Sequence, residues 1–283
     1  MQTHIFIPTL FLFALFTGAA PAEDKAWKQG EISLYAGIGH SRARGSSFYH
    51  LGWASGASPN AETNTSISAS SKDAIYFGAF FSFFIDRDVG FQTGFGYLKS
   101  DVPNTAVFDL STVPGKAALR DSWPGTGEIT AVPLCLNVAG RFGDGKFRMG
   151  VTVGVALFLN SFFADSYAGA AVIPAPPEET FDAFRIKIAV EDKTWSALGG
   201  NFGWSGDFQL SSKLALTAEA RYFFCPIKTL YWTWLPGDYA GLLGNLPIWN
   251  FDKTSAADAE SRTSPLSINP SFFTVSIGIK FLR

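Results

Sequence analysis

The stretch "KFRMGVTVGVALFLN", Lys146 to Asn160, decides the fold of this chain. Apolar residues occupy every second position from Phe147 to Leu159, and the positions between them are small or polar except for Phe158. Because successive side chains of a β-strand point to opposite faces, a period of two predicts a strand with two different faces. One face is continuously apolar, and the other carries Arg148, Thr152 and glycines.

Seven other stretches of about 10 to 14 residues show the same alternation. They are EISLYAGIGH, DAIYFGAFFSFFID, DVGFQTGFGYLKSD, ITAVPLCLNVAGRF, TWSALGGNFGWSGDF, KLALTAEARYFF and SFFTVSIGIKFLR. The connections between the stretches alternate between long and short, from the brief Asp86-Arg87-Asp88 to the long segment from Pro226 to Pro270. This order predicts an all-β fold, an eight-stranded antiparallel up-and-down transmembrane β-barrel with four long external loops.

A soluble barrel or a secreted sandwich also has alternating strands. The two classes differ in the chemistry of the second face, which a soluble barrel needs to be strongly charged. Here only 16% of the residues are charged, and the second face consists mainly of Gly, Ser, Thr, Tyr and Asn. That face suits a small hydrogen-bonded lumen and the Phe- and Val-rich face suits lipid, which favours the membrane barrel.

The first 22 residues have the pattern of an export signal. An apolar run from Ile5 to Phe16 precedes Ala20-Pro21-Ala22, which fits cleavage before Glu23. We therefore expect a signal peptide at residues 1–22 and a single outer-membrane barrel domain at residues 23–283. The n-region has no Lys or Arg, so a retained N-terminal anchor is the alternative. Past residue 22 no apolar run reaches about 18 residues, the minimum for a membrane-spanning helix.

Charge and cysteine content exclude some partners. The net charge is −2, and no basic patch is present to neutralise phosphates, so we expect no nucleic-acid partner. Cys135 and Cys225 are far apart in sequence, and they are either two buried thiols or a disulfide. We expect no metal, because the sequence shows no metal-ligating cluster, and no cofactor, because the glycines of "GFQTGFG" lie within a strand and not at the strand-to-helix turn of a nucleotide site.

The signal-like N-terminus, "VPLCLNVAGRF", "LTAEARYFF" and the closing "FFTVSIGIKFLR" resemble small bacterial outer-membrane β-barrels of the OmpA, OmpX and OmpW types. The resemblance implies location in the lipid bilayer of the bacterial outer membrane. It also implies recognition of the last strand by the outer-membrane assembly machinery, which reads alternating apolar residues before a terminal aromatic. The alternating residues are Phe273, Val275, Ile277, Ile279 and Phe281, although the chain ends at Arg283.

Parity along the strands assigns a set of polar residues to the lumen. The predicted lumen network consists of Gln92, Asn137, Arg141, Arg148, Glu219 and Arg221. Charges in so narrow a lumen must be paired or solvated, and Glu219 and Arg221 occupy alternate positions of one strand. The network is either a polar plug that specifies the barrel or the lining of a narrow path for solutes.

The segment "TLYWTWLPGDYAGLLGNLPIWNF", Thr229 to Phe251, is the apolar one among the long connections. We expect it at the barrel mouth, where aromatic residues form an interfacial girdle and a loop this apolar folds over the mouth or into the outer leaflet. Its candidate residues are Tyr231, Trp232, Trp234, Leu242, Leu243 and Trp249. The first long connection, residues 42–73, is rich in Ser, Ala, Gly and Asn and is expected to be solvated and mobile.

Three function classes remain open. An OmpW-like barrel passes small hydrophobic molecules through an apolar mouth to a lateral exit, whereas a surface protein with a plugged lumen binds host molecules through its loops. A lipid-modifying enzyme needs a histidine beside a nucleophile, and His40 has lipid-facing parity with Ser41, Ser46 and Ser47 nearby. We predict a non-enzymatic protein with at most a narrow conduit. The first two classes differ in whether the upper lumen is lined by Phe, Trp and Leu or closed by polar groups.

Overall fold

The computed structural model describes residues 30–55, 58–86, 88–109, 120–143, 146–172, 182–240 and 264–282. The predicted signal peptide lies outside the described residues, as do Leu242, Leu243 and Trp249, and only the backbone of Trp234 is described. Within the described ranges, no helix is long and apolar enough to cross a membrane.

The described chain forms fourteen β-strands. They are β1 (Gly30–Ser41), β2 (Arg44–Ser55), β3 (Ser58–Ser70), β4 (Asp73–Phe84), β5 (Val89–Asp101), β6 (Asn104–Asp109), β7 (Arg120–Phe142), β8 (Phe147–Val172), β9 (Asp182–Ser211), β10 (Leu214–Phe224), β11 (Lys228–Leu230), β12 (Thr233–Ala240), β13 (Leu266–Ile268) and β14 (Phe272–Leu282).

Eight of these strands close into a barrel. The order around the cylinder is β14, β1, β4, β5, β7, β8, β9, β10 and back to β14, and all the pairings are antiparallel. The first and last strands join over the register from Glu31↔Leu282 to Ser41↔Phe272. The predicted eight-stranded up-and-down barrel is confirmed.

The outer face of the barrel is apolar. Large apolar side chains point outward on all eight barrel strands, and many are more than half exposed, such as Ile277 at 70% and Leu198 at 68%. The residues between them point inward and are buried, as the strict alternation in β4 shows. A soluble barrel would present polar residues outward, whereas this belt matches the lipid-facing band of a transmembrane barrel. The prediction that the apolar face of the strands contacts lipid is therefore confirmed.

Three strands are much longer than the predicted ~10–14 residues. β7 has 23 residues, β8 has 26 and β9 has 30. The predicted loop from Ser161 to Lys193 instead continues the β8–β9 ladder as far as Val172↔Asp182. Continuing the ladder satisfies backbone N–H and C=O groups that a loop would leave to water. The inward residues Phe162 and Ala164 also keep the period of two beyond the membrane band.

The first long connection is not the mobile loop that its composition predicted. It forms the β2–β3 hairpin, and β3 pairs with β6, which pairs with the start of β7. Ile67 and Ala69 are buried, while Ser66, Ser68 and Ser70 face outward. The alternation of buried and exposed residues in "SISAS", and not its serine content, therefore determines the structure of this segment. We call β2, β3, β6, β11, β12, β13 and the outer ends of β7 to β9 the external extension.

The opposite rim consists of short turns. Between β4 and β5, Asp86 Oδ1 accepts hydrogen bonds from the backbone N–H groups of Asp88 at 2.8 Å and Val89 at 2.7 Å. Gly143, after β7, has a φ of 103°, a conformation that glycine adopts readily. Cys135 and Cys225 are both buried and free, so the disulfide alternative does not hold.

Candidate functional site in the barrel interior

The interior is filled by side chains in layers, and the lowest layer lies near the short turns. Lys280 Nζ lies 2.5 Å from Asp207 Oδ2 and 3.4 Å from Glu31 Oε2. Arg141 Nη1 donates to Glu31 Oε1 at 2.8 Å, and its guanidinium lies 3.9 Å from the centre of the Phe84 ring. We call this the basal ion cluster. It joins β1, β7, β9 and β14, because each strand contributes one charged residue.

The next layer is centred on Arg221, which is fully buried. Its Nε and Nη2 donate to the two carboxylate oxygens of Glu219, both at 2.9 Å. Nη2 also donates to Gln92 Oε1 at 2.8 Å, and Nη1 donates to Asn201 Oδ1 at 3.2 Å. The Asn137 amide completes the layer, 3.0 Å from Gln92 and 2.7 Å from Asn201. We call these residues the central network.

The central network closes the lumen. All five residues are at most 5% exposed, and the charge of Arg221 is balanced by Glu219. The guanidinium also lies 4.1 Å from the centre of the Phe80 ring. A glycine at position 203 leaves room for it, since a Cβ there would lie 3.0 Å from Arg221 Nε. A paired, fully enclosed layer of this kind excludes a water-filled path at its level.

Four predicted lumen residues, Gln92, Asn137, Glu219 and Arg221, meet in this network. Arg141 belongs instead to the basal ion cluster. Arg148 is half-buried and lies opposite Asp207 in the β8–β9 register. The sequence reading missed Asn201, although its inward parity in "GGNFGW" is a signal that could have identified it.

An aromatic layer lies beside and above the central network, with Tyr35 and Phe80 at the level of the network. It consists of Tyr35, Tyr76, Phe80, Phe158, Phe223 and Phe272. The rings of Phe223 and Phe272 stack at 4.5 Å between centroids, and Tyr76 lies 6.0 Å from Phe223. In doublets such as Phe80-Phe81 one ring faces inward and the other lipid, so the second face is less polar than the sequence reading expected.

The outermost layer is an apolar core inside the external extension. It includes Ile67, Val102, Ile129, Phe162, Val190, Leu230, Trp232, Leu266 and Ile268. Trp232 is only 2% exposed, so it is not part of the predicted interfacial girdle, whereas Tyr231 is 57% exposed and faces outward. The side chains of adjacent residues in an extended chain point to opposite sides, so only one of Tyr231 and Trp232 can face the bilayer. The upper interior is therefore mainly apolar, and no buried charged residue of the described ranges lies in it.

The barrel wall is interrupted beside these two upper layers. Pairing of β9 with β10 ends at Gly200↔Phe224, and pairing of β9 with β12 begins only at Ala189↔Thr233. Within the described ranges, no strand pairs with this side of β9 between those two points. The chain from Cys225 leaves the wall and forms β11, which pairs with β13. We call the space between residues 190–199 and 225–232 the wall gap.

The wall gap faces the lipid side of the barrel. Leu198 on one edge is 68% exposed, and Ile227 on the other is 66% exposed. Cys225 and Leu230, at the two ends of an exposed run of residues on the second edge, are buried in the aromatic layer and the outer apolar core respectively. The gap therefore connects the apolar interior with an apolar outer surface.

The remaining predicted sites lie on the outside of the barrel. His40 Nδ1 lies 2.6 Å from Asp73 Oδ1, and both side chains are more than half exposed. Ser41 is buried on the inner face, Ser46 is exposed, and Ser47 donates to the Ser264 carbonyl. The alternating residues of β14, Phe273 to Phe281, all face outward. Among the described residues, no group of three or more His, Cys, Asp or Glu is arranged to hold a metal.

No family model and no curated protein matches the chain. Its fold is similar to solved outer-membrane proteins. OprG from Pseudomonas aeruginosa is 10% identical over 92% of this chain and 99% of that one, with a TM-score of 0.45. The protease OmpT from Escherichia coli is 9% identical, covering 89% and 97%, with a TM-score of 0.44. AlkL is 17% identical, covering 94% and 95%, with a TM-score of 0.33. Likenesses this weak assign neither activity nor substrate to this chain.

Proposed function

We propose that this protein is a non-enzymatic integral protein of the bacterial outer membrane that passes small apolar molecules from the cell surface into the outer leaflet. The route runs through the outer apolar core and leaves sideways through the wall gap. The observation that carries the proposal is the position of the gap, which opens the wall beside the two apolar layers and above the central network.

The membrane location is supported by the apolar belt and by closure of the barrel. In lipid every backbone N–H and C=O needs a partner, and a closed barrel supplies one to each strand. Barrels with short turns on one side and long connections on the other are typical of bacterial outer membranes. The outward alternation of β14 suits recognition by the assembly machinery, which the sequence resemblance implies.

A sideways route is supported by the chemistry of the layers. An apolar molecule that continued downward would meet Arg221 and Glu219 and would break their hydrogen bonds. A molecule that turns sideways above Phe223 meets no buried charge among the described residues on its way to Leu198 and Ile227. Transfer between two apolar environments has little free-energy cost, whereas unpairing a buried charge costs several kcal/mol, about 3–5.

The sideways route can be tested with a substitution that fills the wall gap from the interior of the barrel. Ala197 is half-buried, packs against the aromatic layer and lies on the β9 edge of the gap. We expect Ala197→Trp to fill the gap and to slow uptake of the apolar fluorophore N-phenyl-1-naphthylamine by Gram-negative cells that express the protein. The matched control is Ser196→Trp, which adds the same ring to the exposed face of the neighbouring residue.

Uptake in the Ser196→Trp cells should equal that of the wild type, and uptake in the Ala197→Trp cells should fall to the level of cells without the protein. Heat-modifiable gel mobility shows that both variants are folded. If the wild type takes up the fluorophore no faster than cells without the protein, the conduit is refuted. Equal uptake by wild type and Ala197→Trp would refute the route through the gap.

A barrel with a plugged lumen that acts through its surface is the second candidate. The observation in its favour is the external extension, which is β-structured and has its own apolar core instead of flexible loops. Its test is binding of host surface molecules by expressing cells, without any increase in fluorophore uptake. An enzymatic role is less well supported, because Ser41 faces away from the exposed His40–Asp73 pair.

A further inference from the structure

Two polar groups without partners lie together at the wall gap. Asn160 on β8 and Trp195 on β9 are opposite each other in the β8–β9 register, and both have inward parity. Asn160 is only 3% exposed. Its Oδ1 and the Nε1 of Trp195 are both enclosed by protein, and neither has a hydrogen-bond partner among the described residues.

Contacts place this pair beside the gap. Asn160 Nδ2 lies 3.5 Å from the sulfur of Cys225, the residue at which the chain leaves the wall. Along β8, Asn160 stands between Phe158 of the aromatic layer and Phe162 of the outer apolar core. Trp195 lies on the unpaired stretch of β9 and packs against the outer apolar core. The pair therefore lies where both apolar layers meet the opening.

Polar groups in a protein interior are nearly always hydrogen-bonded, so an unpaired one needs an explanation. Other buried polar atoms of the described residues, such as Ser166 Oγ and Trp232 Nε1, also have no partner, but Asn160 and Trp195 place an unpaired acceptor and an unpaired donor directly opposite each other at the gap. Directly opposed residues of an antiparallel pair have Cβ atoms about 5 Å apart, so one small polar group can reach both side chains. Asn160 supplies an acceptor and Trp195 a donor.

We propose that Asn160 and Trp195 form a polar anchor that makes the wall gap selective for apolar molecules carrying a single hydroxyl group, such as aliphatic alcohols, over plain hydrocarbons. The inference rests on the proposed function and names its substrate class. A hydroxyl accepts from Trp195 Nε1–H and donates to Asn160 Oδ1, whereas a hydrocarbon leaves both unpaired. A charged head group would need a counter-charge, which neither residue supplies.

The test compares two probes that differ in one hydroxyl, 8-bromo-1-octanol and 1-bromooctane. Their binding to the full-length protein in lipid nanodiscs is measured by bromine quenching of tryptophan fluorescence and corrected for partition into empty nanodiscs. We expect the wild type to bind the alcohol about tenfold more tightly, because two hydrogen bonds form in a dry site. Asn160→Leu should lose this preference and still bind 1-bromooctane. Trp195→Phe, which keeps an aromatic side chain and removes the N–H donor, should lose part of the preference for the alcohol.

Ser166→Ala is the matched control, because Ser166 is another buried β8 residue whose hydroxyl has no partner, and it lies opposite Ile188, beyond the outer end of the gap and away from Asn160. It should keep the full preference for the alcohol. Equal binding of the two probes by the wild type, or a preference that survives in Asn160→Leu, overturns the anchor and leaves the conduit standing. If 1-bromooctane quenches the wild type and Ala197→Trp equally, the apolar site at the gap is absent and the proposed function fails as well.

Discussion

The stability of the barrel should depend strongly on Arg221, and the size of the effect can be worked from its contacts. Arg221→Met removes two hydrogen bonds to Glu219 and those to Gln92 and Asn201, while it nearly keeps the length of the side chain. Glu219 is 4% exposed and would be left without its cation. Removing one partner of a buried ion pair costs about 3–5 kcal/mol. Glu219→Leu, which leaves Arg221 unpaired, should cost a similar amount.

The double variant Glu219→Leu/Arg221→Met separates loss of the pair from loss of one partner. Replacing a buried pair by apolar residues of similar volume is often close to neutral. The remaining cost is that Gln92 and Asn201 each lose a donor, about 1 kcal/mol apiece. We therefore expect a loss of about 2 kcal/mol in the double variant, against the ~6–10 kcal/mol sum of the single losses.

Reversible urea unfolding in lipid vesicles measures these differences, with tryptophan fluorescence and heat-modifiable gel mobility as independent readouts. The coupling between the two substitutions should be at least about 4 kcal/mol. If the losses of the single variants simply add in the double variant, Glu219 and Arg221 do not act as a pair. In that case the closure of the lumen by the central network would need another explanation.

Two further predictions concern the rim of short turns. Lys280→Met should destabilise the barrel by about 3 kcal/mol in urea unfolding, because Glu31 and Asp207 lose the cation between them. Lys280→Arg keeps the charge and should keep most of the stability. Equal losses of stability in the two variants would contradict the role of the charge. At Asp86, the backbone N–H groups of Asp88 and Val89 hold the carboxyl pKa below its ordinary value of 3.8. This stabilisation is complete above the ordinary value and is lost as the pH falls through the lower folded-state pKa. The difference in urea midpoint between wild type and Asp86→Asn should therefore shrink below pH 3.8, and a constant difference would contradict it.

The sequence predicted the barrel and much of its central network because parity is a local property. Once "KFRMGVTVGVALFLN" is a strand, steric geometry alone places Arg148 and Val153 on opposite faces. The same reasoning placed Gln92, Asn137, Glu219 and Arg221 inside. Their mutual contacts were not predictable, because Arg221 and Gln92 are 129 positions apart and meet only through the register of the closed cylinder.

The upper part of the barrel was predicted poorly for two physical reasons. The serine content of residues 58–70 is typical of a solvated loop, but small hydroxyl side chains also fit the outer face of a half-buried strand, which is what β3 is. The orientation of Trp232 depends on where β10 ends, since a shift of one residue in an extended chain reverses every side chain. Because β10 ends at Phe224 and the chain leaves the wall, Trp232 enters the apolar core.

The position of the wall gap follows from the order of the layers. An opening at the level of Arg221 would expose a buried ion pair to lipid, which costs several kcal/mol. An opening three residues higher, above Gly200, exposes no buried ion pair. The edge of β9 that no described strand pairs with still has a cost, because each backbone group without a partner in lipid costs several kcal/mol. A continuous ladder from β10 to β12 would remove that cost, so the interruption is a destabilising feature of the fold. Such features are expected where function requires them, and here the function would be passage through the wall.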